Sequence, residues 1–503
     1  MPRIHAPEVV ATHTFPNPLP DALDLLRQRT RRLNTRALEG GDYVLCWLQQ
    51  ALRAEHNPAI DAAVAAGNEH GLPVVVYHGL DNRYPYASHR LHRFILESSR
   101  DLEAGVKGRG LRFIRYVRRP GKLEEGLVYR LCERAAMLVT DDQPAYVARW
   151  QADRVAARAE RPVLAVDATC LVPPAAVGGP HRTTKAFRAA HTKLRGLHLS
   201  TDLTQTPAVP RFEDDLEVES DSLEGVDLDA LIATCGVDMT VPPATDFSGS
   251  RAAALDQLAW AAEHVLPSYN FRRNDPSDPT STSRLSPWMH FGVLSPREVA
   301  RAAHDADVHS AARWKFLDEA LTWREYYHHR ARVVPDPASY QNVPRRARAT
   351  LEAHAGDPRP HVYSLDELTH AETDDDVWNA CQKQFLLDGW MHNNLRMYWV
   401  KQIIKWRPSP EDAWATACLL NDRLSLDGRD PSTYGSIQWG FGDSKPASEQ
   451  PVYGTVPRRS SGAIRRRASE WIDEQAARPV ELRLAQVSLE THGPRKPTPP
   501  YER

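Results

Sequence analysis

Tyr43-Val44-Leu45-Cys46-Trp47-Leu48 is a short run without a charged side chain. Its length and its β-branched and aromatic content read as a strand buried on both faces. Val74-Val75-Val76-Tyr77, Phe113-Ile114-Arg115-Tyr116-Val117, Met137-Leu138-Val139-Thr140 and Val163-Leu164-Ala165-Val166 repeat the pattern. Between them, Pro58 to His70 and His89 to Gly105 carry apolar residues at helical spacing. Strand–helix alternation predicts a parallel sheet covered on both faces, a doubly wound α/β domain over residues 25–170. Cys46-Trp47-Leu48-Gln49-Gln50 after the first of these strands matches neither a dinucleotide nor a P-loop fingerprint.

The alternation stops near Cys170. Breakers from Val172 to Pro180 and an acidic run, Glu213-Asp214-Asp215-Leu216-Glu217-Val218-Glu219, mark 171–245 as a long linker over the surface. From Arg251 onward the spacing is helical, with Trp314 to Arg332, Asp376 to Trp406 and Ser409 to Leu420 as the clearest runs. Residues 246–475 are therefore expected to form an all-α domain. Residues 476–503 end in a Pro-rich polar stretch expected to lack fixed structure.

Composition narrows the function classes. Lys+Arg is 63 against Asp+Glu 65, so a nucleic-acid partner would need a locally basic surface. No apolar stretch approaches the roughly 20 residues of a membrane span, and Met1 to Pro7 lacks a signal-peptide core. A cytoplasmic protein is expected. The six cysteines are scattered without a C-x-x-C pair, so no metal site is expected and free buried thiols are. The 13 tryptophans, many in the second half, call for a physical reason.

Four polar and aromatic clusters carry chemistry. Arg273-Asn274-Asp275-Pro276 with Thr282-Ser283-Arg284-Leu285-Ser286 supplies hydroxyls and N–H groups before a helix, able to cradle phosphate oxygens or simply to cap it. Glu319 and Trp323, four apart, share one face of a helix, so a carboxylate and an indole can meet one flat polar ligand, or a surface Glu can overlie a core Trp. Trp378, Trp399 and Trp406 form a set that is either core packing or an electron path. The loop Asn421 to Pro431 can set Asp427 against a cation such as Arg396, or can be a solvated connection.

Together these blocks, with Gly41-Asp42-Tyr43-Val44-Leu45 and Arg53-Ala54-Glu55-His56-Asn57, resemble the photolyase/cryptochrome family. Trp378-Asn379-Ala380, Leu395-Arg396-Met397-Tyr398-Trp399 and Leu420 to Pro431 are most similar to class II cyclobutane-dimer DNA photolyases. The resemblance covers roughly residues 30–470. It implies FAD folded in the helical domain, with Tyr269, Thr282, Ser283, Arg284, Leu285, Ser286, Arg324, Arg396, Asp427 and Asn421 as flavin contacts. It implies UV-damaged DNA as partner, the pyrimidine dimer flipped into the same pocket. There Glu319 hydrogen-bonds the dimer, Trp323 and Trp439 pack on it, Met397 lies beneath it, and Asn274 and Asn393 meet its polar edges. The implied reaction is dimer splitting by an electron from photoexcited reduced FAD. The Trp399, Trp378, Trp406 path would photoreduce oxidised flavin.

An antenna chromophore such as a deazaflavin in the N-terminal domain and a monomeric state without obligate protein partner are the remaining implications. Arg458-Arg459 and Arg465-Arg466-Arg467 are candidates for DNA phosphates. Two features depart from the class II pattern. Gly440 to Pro446 lacks the loop tryptophan of that class, whereas Trp390 and Asn393 are more similar to class I. A (6-4) photolyase would need a His pair where only His392 stands. A cryptochrome-like photoreceptor without repair activity is the alternative reading.

Overall fold

A computed structural model describes residues 23–480 and 483–492. Its first domain holds a six-stranded sheet of β1 (Thr30–Arg32), β2 (Tyr43–Leu48), β3 (Val74–Leu80), β4 (Arg112–Val117), β5 (Ala135–Asp141) and β6 (Val163–Val166), in the order β1-β6-β5-β2-β3-β4. β2 pairs in parallel with β3 on one side and β5 on the other. The strand order thus reverses between β2 and β5, which opens a crevice at the carboxyl ends of the strands. The five expected strands are all present. β1 was not expected: Thr30-Arg31-Arg32 has no apolar signal, yet it adds antiparallel to β6 at the sheet edge, where charged side chains can stay in water.

The linker contains more structure than its breakers suggest. A 17-residue helix, Thr184–Ser200, starts where Thr183 accepts a bond from the Ala186 N–H. Its buried stripe is Phe187, His191, Arg195 and His198, three of them polar, so a search for apolar periodicity passes over it. The acidic run is not wholly solvated either. Phe212 and Leu216 are buried on the sheet domain, Phe212 edge-on to Tyr43 at 5.0 Å.

The second domain is helical throughout the described residues from Arg251 to Ala477. Two expected continuous helices are interrupted. Asp376 to Trp406 is two helices, Asp376–Asp388 and Asn393–Trp406, parted at Gly389. Gly389 adopts a left-handed φ of +63°, and a Cβ there would lie 3.2 Å from Arg90. Trp314 to Arg332 is broken by a single wider turn, the π-helix Asp318–Trp323. Such turns insert a residue without ending the helix, so spacing alone does not reveal them. Trp378, Trp399 and Trp414 are among the largest fully buried side chains of the molecule.

The domains are joined by a buried arginine. Arg90 of the sheet helix His89–Gly108 donates to the carbonyls of Phe385 (2.8 Å), Leu386 and Leu424 (2.6 Å). The expectation that residues after 475 lack structure is corrected for part of the segment. Helix Gly462–Ala477 runs past it, Leu484 is buried against the helical domain, and the Ala485 carbonyl accepts from Arg423 at 2.8 Å. The Pro-rich stretch after His492 lies outside the described residues. All six cysteines are buried and unbridged. Among the described residues no helix is long and apolar enough to cross a membrane.

Candidate functional site

A cavity of about 300 Å³, open at one side, lies within the helical domain. That is within the roughly 300–1,000 Å³ of ordinary small-molecule sites, at its lower end. The expected residues Tyr269, Asn274, Thr282, Ser283, Arg284, Leu285, Ser286, Glu319, Trp323, Arg324, Asn393, Arg396 and Asp427 all line it. Asn421, Met397 and Trp439 do not count among its wall residues, and neither do Trp378, Trp399 and Trp406.

The polar end of the cavity is built on one buried pair. Arg396 Nη2 lies 3.1 Å from Asp427 Oδ1, and Ser425 Oγ donates to the same carboxylate at 2.6 Å. Burial alone would raise the Asp427 pKa, but the Arg396 charge and the Ser425 and Ser286 hydroxyls together hold it below the ordinary carboxylate value. The loop that brings Asp427 here depends on Gly428, whose Cβ, if present, would lie 2.7 Å from the Asn421 carbonyl oxygen. Asn421 is fully buried. Its amide donates to Asp422 Oδ1 at 3.1 Å, and Asp422 in turn accepts from Tyr434 at 2.7 Å and the Arg429 N–H at 2.9 Å.

Three buried side-chain atoms of the expected flavin residues, Arg396 Nε, Arg284 Nε and Asn421 Oδ1, have no hydrogen-bond partner among the described residues. Arg396 and Arg284 line the cavity, so their unmet donors fit a polar, heteroaromatic ligand with acceptor atoms. The hydroxyls of Thr282, Ser283 and Ser286 on the same wall suit its phosphates. An FAD-type dinucleotide matches that donor set.

One residue of the cavity escaped the sequence reading. Asp430 lies 3.2 Å from both His290 Nδ1 and His328 Nε2, and 3.8 Å from Arg324. Burial would raise its pKa, yet the His328 charge, its bonds to both histidines and Arg324 hold it well below the usual range. Asp before Pro reads as an ordinary N-cap, and Asp430 is one, accepting from the Ser432 N–H at 2.9 Å. Only the fold brings the two histidines to it.

The π-turn places Glu319 and Trp323. The linker helix grips its outer face: Arg188 is bidentate to Asp318 (2.7 and 3.1 Å), Arg195 donates to Thr322 Oγ1 at 2.7 Å, and His191 meets Glu325 at 2.8 Å. With 318, 322 and 325 held there, Glu319 and Trp323 face the cavity. Glu319 pairs with Lys315 and lies 3.8 Å from Arg273. Trp439 meets Trp323 edge-on at 5.9 Å and is 42 % exposed, so it stands at the mouth. Met397 is buried on helix Asn393–Trp406, one residue after Arg396.

The three ladder tryptophans are in contact. Trp399 stacks on Trp378 at 6.2 Å with planes 3° apart, and Trp378 meets Trp406 at 5.5 Å. Trp399 follows Arg396 by three residues on helix Asn393–Trp406, so the ladder starts about one turn behind the cavity wall. Tyr363, not singled out from the sequence, extends it edge-on to Trp406 at 5.1 Å.

A second crevice of about 120 Å³ lies where the strand order reverses, lined among others by Trp47, Tyr84, Tyr146, His290 and Arg429. Of the basic candidates, Arg459 donates to the Asn394 carbonyl at 2.9 Å beside the cavity, while Arg465 is paired with Asp376.

A family model described as DNA photolyase matches residues 44–210. The chain is 32 % identical to a deoxyribodipyrimidine photo-lyase of Oryza sativa subsp. japonica, over 94 % of each chain. It is 29 % identical to one of Methanothermobacter thermautotrophicus, over 89 % of this chain and 97 % of that one. Among solved structures, a bacterial class III photolyase of Agrobacterium tumefaciens superimposes with a TM-score of 0.61 at 20 % identity, over 89 % of this chain and 92 % of that one.

Proposed function

The chain belongs to the DNA photolyase family, and from that premise we propose that it is a deoxyribodipyrimidine photo-lyase, repairing cyclobutane pyrimidine dimers in UV-damaged DNA with FAD as its cofactor. The observation that carries this reading is the single cavity in which the Arg396–Asp427 pair and Glu319 with Trp323 face one space. When bound there in its reduced form, FAD would absorb light and supply the electron that opens the dimer's cyclobutane ring.

The chain's own residues have separable tasks. Arg396 and Asp427 would hold the flavin ring, with Asn421 packed behind them against the loop that carries Asp427. Thr282, Ser283, Arg284 and Ser286 hold the phosphates, with Tyr269, Leu285 and Arg324 packing around them. Glu319 is placed to hydrogen-bond the dimer: its carboxylate can accept from a ring N–H, and when it carries a proton it can donate to a carbonyl on which negative charge arrives. Trp323 and Trp439 give the dimer an apolar corner, Met397 supports it from below, and Asn274 and Asn393 meet its polar edges. Enzymes that work on a base, photolyases among them, extrude it from the duplex, and a poorly stacked lesion resists this least. Arg458 and Arg459 would anchor flanking phosphates. The ladder of Trp399, Trp378 and Trp406 is the route by which an oxidised flavin is reduced in light. The switch-point crevice is the place for an antenna chromophore such as a deazaflavin.

The test is to illuminate the reduced, FAD-loaded protein with a dimer-bearing oligonucleotide. Repair returns the ultraviolet absorbance of the separated bases, whereas a cryptochrome-like photoreceptor binds flavin and leaves the oligonucleotide unchanged. A second arm uses Trp399→Phe. Photoreduction of oxidised flavin should slow at least tenfold, while pre-reduced protein repairs at the wild-type rate within about twofold. Equal loss of both would refute the division of labour between ladder and cavity.

A further inference from the structure

Where the sheet domain, the end of the linker helix and helix Pro296–Asp305 meet, a small cavity of about 30 Å³, room for one compact ion or a few waters, opens at the exposed Asp202 and Thr204. It shares no wall residue with the flavin cavity. Its wall carries three arginines, and one of them, Arg53, has no carboxylate within ion-pair distance among the described residues. Arg53, 2 % exposed, is held only by carbonyls, those of Gly292 (2.7 Å), Ala168 (2.9 Å) and His56 (3.0 Å). Arg29, 6 % exposed, donates to the carbonyls of Cys170 (2.7 Å) and Leu171. Its nearest carboxylate, Asp167, is 3.9 Å away and lies closer to Arg332, at 3.6 Å. The two acids in the wall are otherwise engaged: Asp61 pairs with Arg109 at 2.7 Å, and Asp202 at the mouth with Arg297 at 2.8 Å.

Two further observations point into the cavity. His198 is 4 % exposed, and neither of its ring nitrogens has a partner among the described residues; Arg29 Nε is likewise unmet. Burial, then the Arg29 charge, presses the His198 pKa down to about 4, so the ring is neutral and can donate one N–H. Helices Pro58–His70 and Pro296–Asp305 both begin at this wall, so the positive ends of two helix dipoles converge on it. Buried guanidinium groups without counter-charge are costly.

We propose that this cavity binds a free tetrahedral oxyanion, inorganic phosphate or sulfate, between Arg29, Arg53, Arg297 and His198. The ion neutralises the buried cations and ties the end of the linker helix to the sheet. That helix also grips the π-turn, so the ion fixes one end of the element that positions Glu319.

The test is thermal unfolding of the full chain at constant ionic strength. Millimolar phosphate or sulfate should raise the Tm by several degrees over chloride, by mass action on the folded state. Arg29→Met and His198→Leu should each abolish most of that rise, whatever their own stability. An equal Tm in chloride and phosphate, meaning that water alone fills the cavity, overturns the proposal. So does an undiminished rise in both variants. Adenosine 5′-monophosphate carries the same chemistry on a larger body: a rise with it but not with free phosphate would also overturn a free-ion site. Should a variant fail to fold, the phosphorus-31 line of phosphate reads the wild type directly. Broadening that sulfate reverses and chloride does not supports the site; an unbroadened line counts against it.

Discussion

Asp427→Ala should yield a protein that takes up no flavin and unfolds at much lower denaturant concentration. Asp427 is the counter-ion of the buried Arg396, 5 % exposed, and removing one partner of a buried pair costs about 3–5 kcal/mol because the other charge is left alone. Reconstitution with FAD, followed by the flavin absorbance band and by a urea titration, measures both losses. A double variant, Arg396→Met with Asp427→Leu, separates them. Apolar side chains of similar bulk should recover most of the stability, while flavin uptake stays lost because no cation or carboxylate faces the ring. The sign of the pH dependence follows from the lowered Asp427 pKa. Its contribution is complete above the ordinary carboxylate value of about 4 and is lost as pH falls through the lower folded value. The acid limb of wild-type stability should therefore be steeper than that of the double variant. A yellow, fully stable Asp427→Ala protein would remove the pair from the site.

The second large effect is on catalysis alone. Glu319→Gln should lower the light-driven repair rate on the order of 10²-fold, the loss expected when a carboxyl able to pass a proton to developing negative charge becomes an amide that can only donate a hydrogen bond. Stability should hardly change, within about 0.5 kcal/mol, since Glu319 is 35 % exposed and its pairs with Lys315 and Arg273 lie in reach of water. Flavin uptake should be normal and dark binding of the lesion nearly so, because Gln keeps a hydrogen-bonding amide at the same place. Repair by Glu319→Gln at the wild-type rate would assign the dimer contact to another group, with Asn274 and Asn393 the nearest candidates.

The sheet was legible because β2 to β6 are short, apolar and separated by helices with clear caps, such as Asn57 accepting from the Ala59 N–H. β1 was not, since an edge strand of Thr and Arg takes its stability from pairing with β6. The linker helix stayed hidden for a related reason: its buried face is His191, Arg195 and His198, residues that sequence patterning sends to the surface. At the site, the types and spacing of Glu319, Trp323, Arg396 and Asp427 anticipated which side chains converge. The geometry that unites them did not show. A π-turn and an α-turn carry the same residues, and Asp430 looks like a capping group until His290 and His328, from distant parts of the chain, close on it.

Contact between flavin and lesion inside one cavity is tested most directly by the fluorescence of reduced flavin in the wild-type protein. An oligonucleotide bearing one cyclobutane dimer should quench it on binding, in step with restoration of the thymines, whereas the same strand without the lesion should leave it bright. Equal fluorescence with the damaged and intact strands, in protein fully loaded with reduced FAD, would place the lesion elsewhere and contradict the shared cavity.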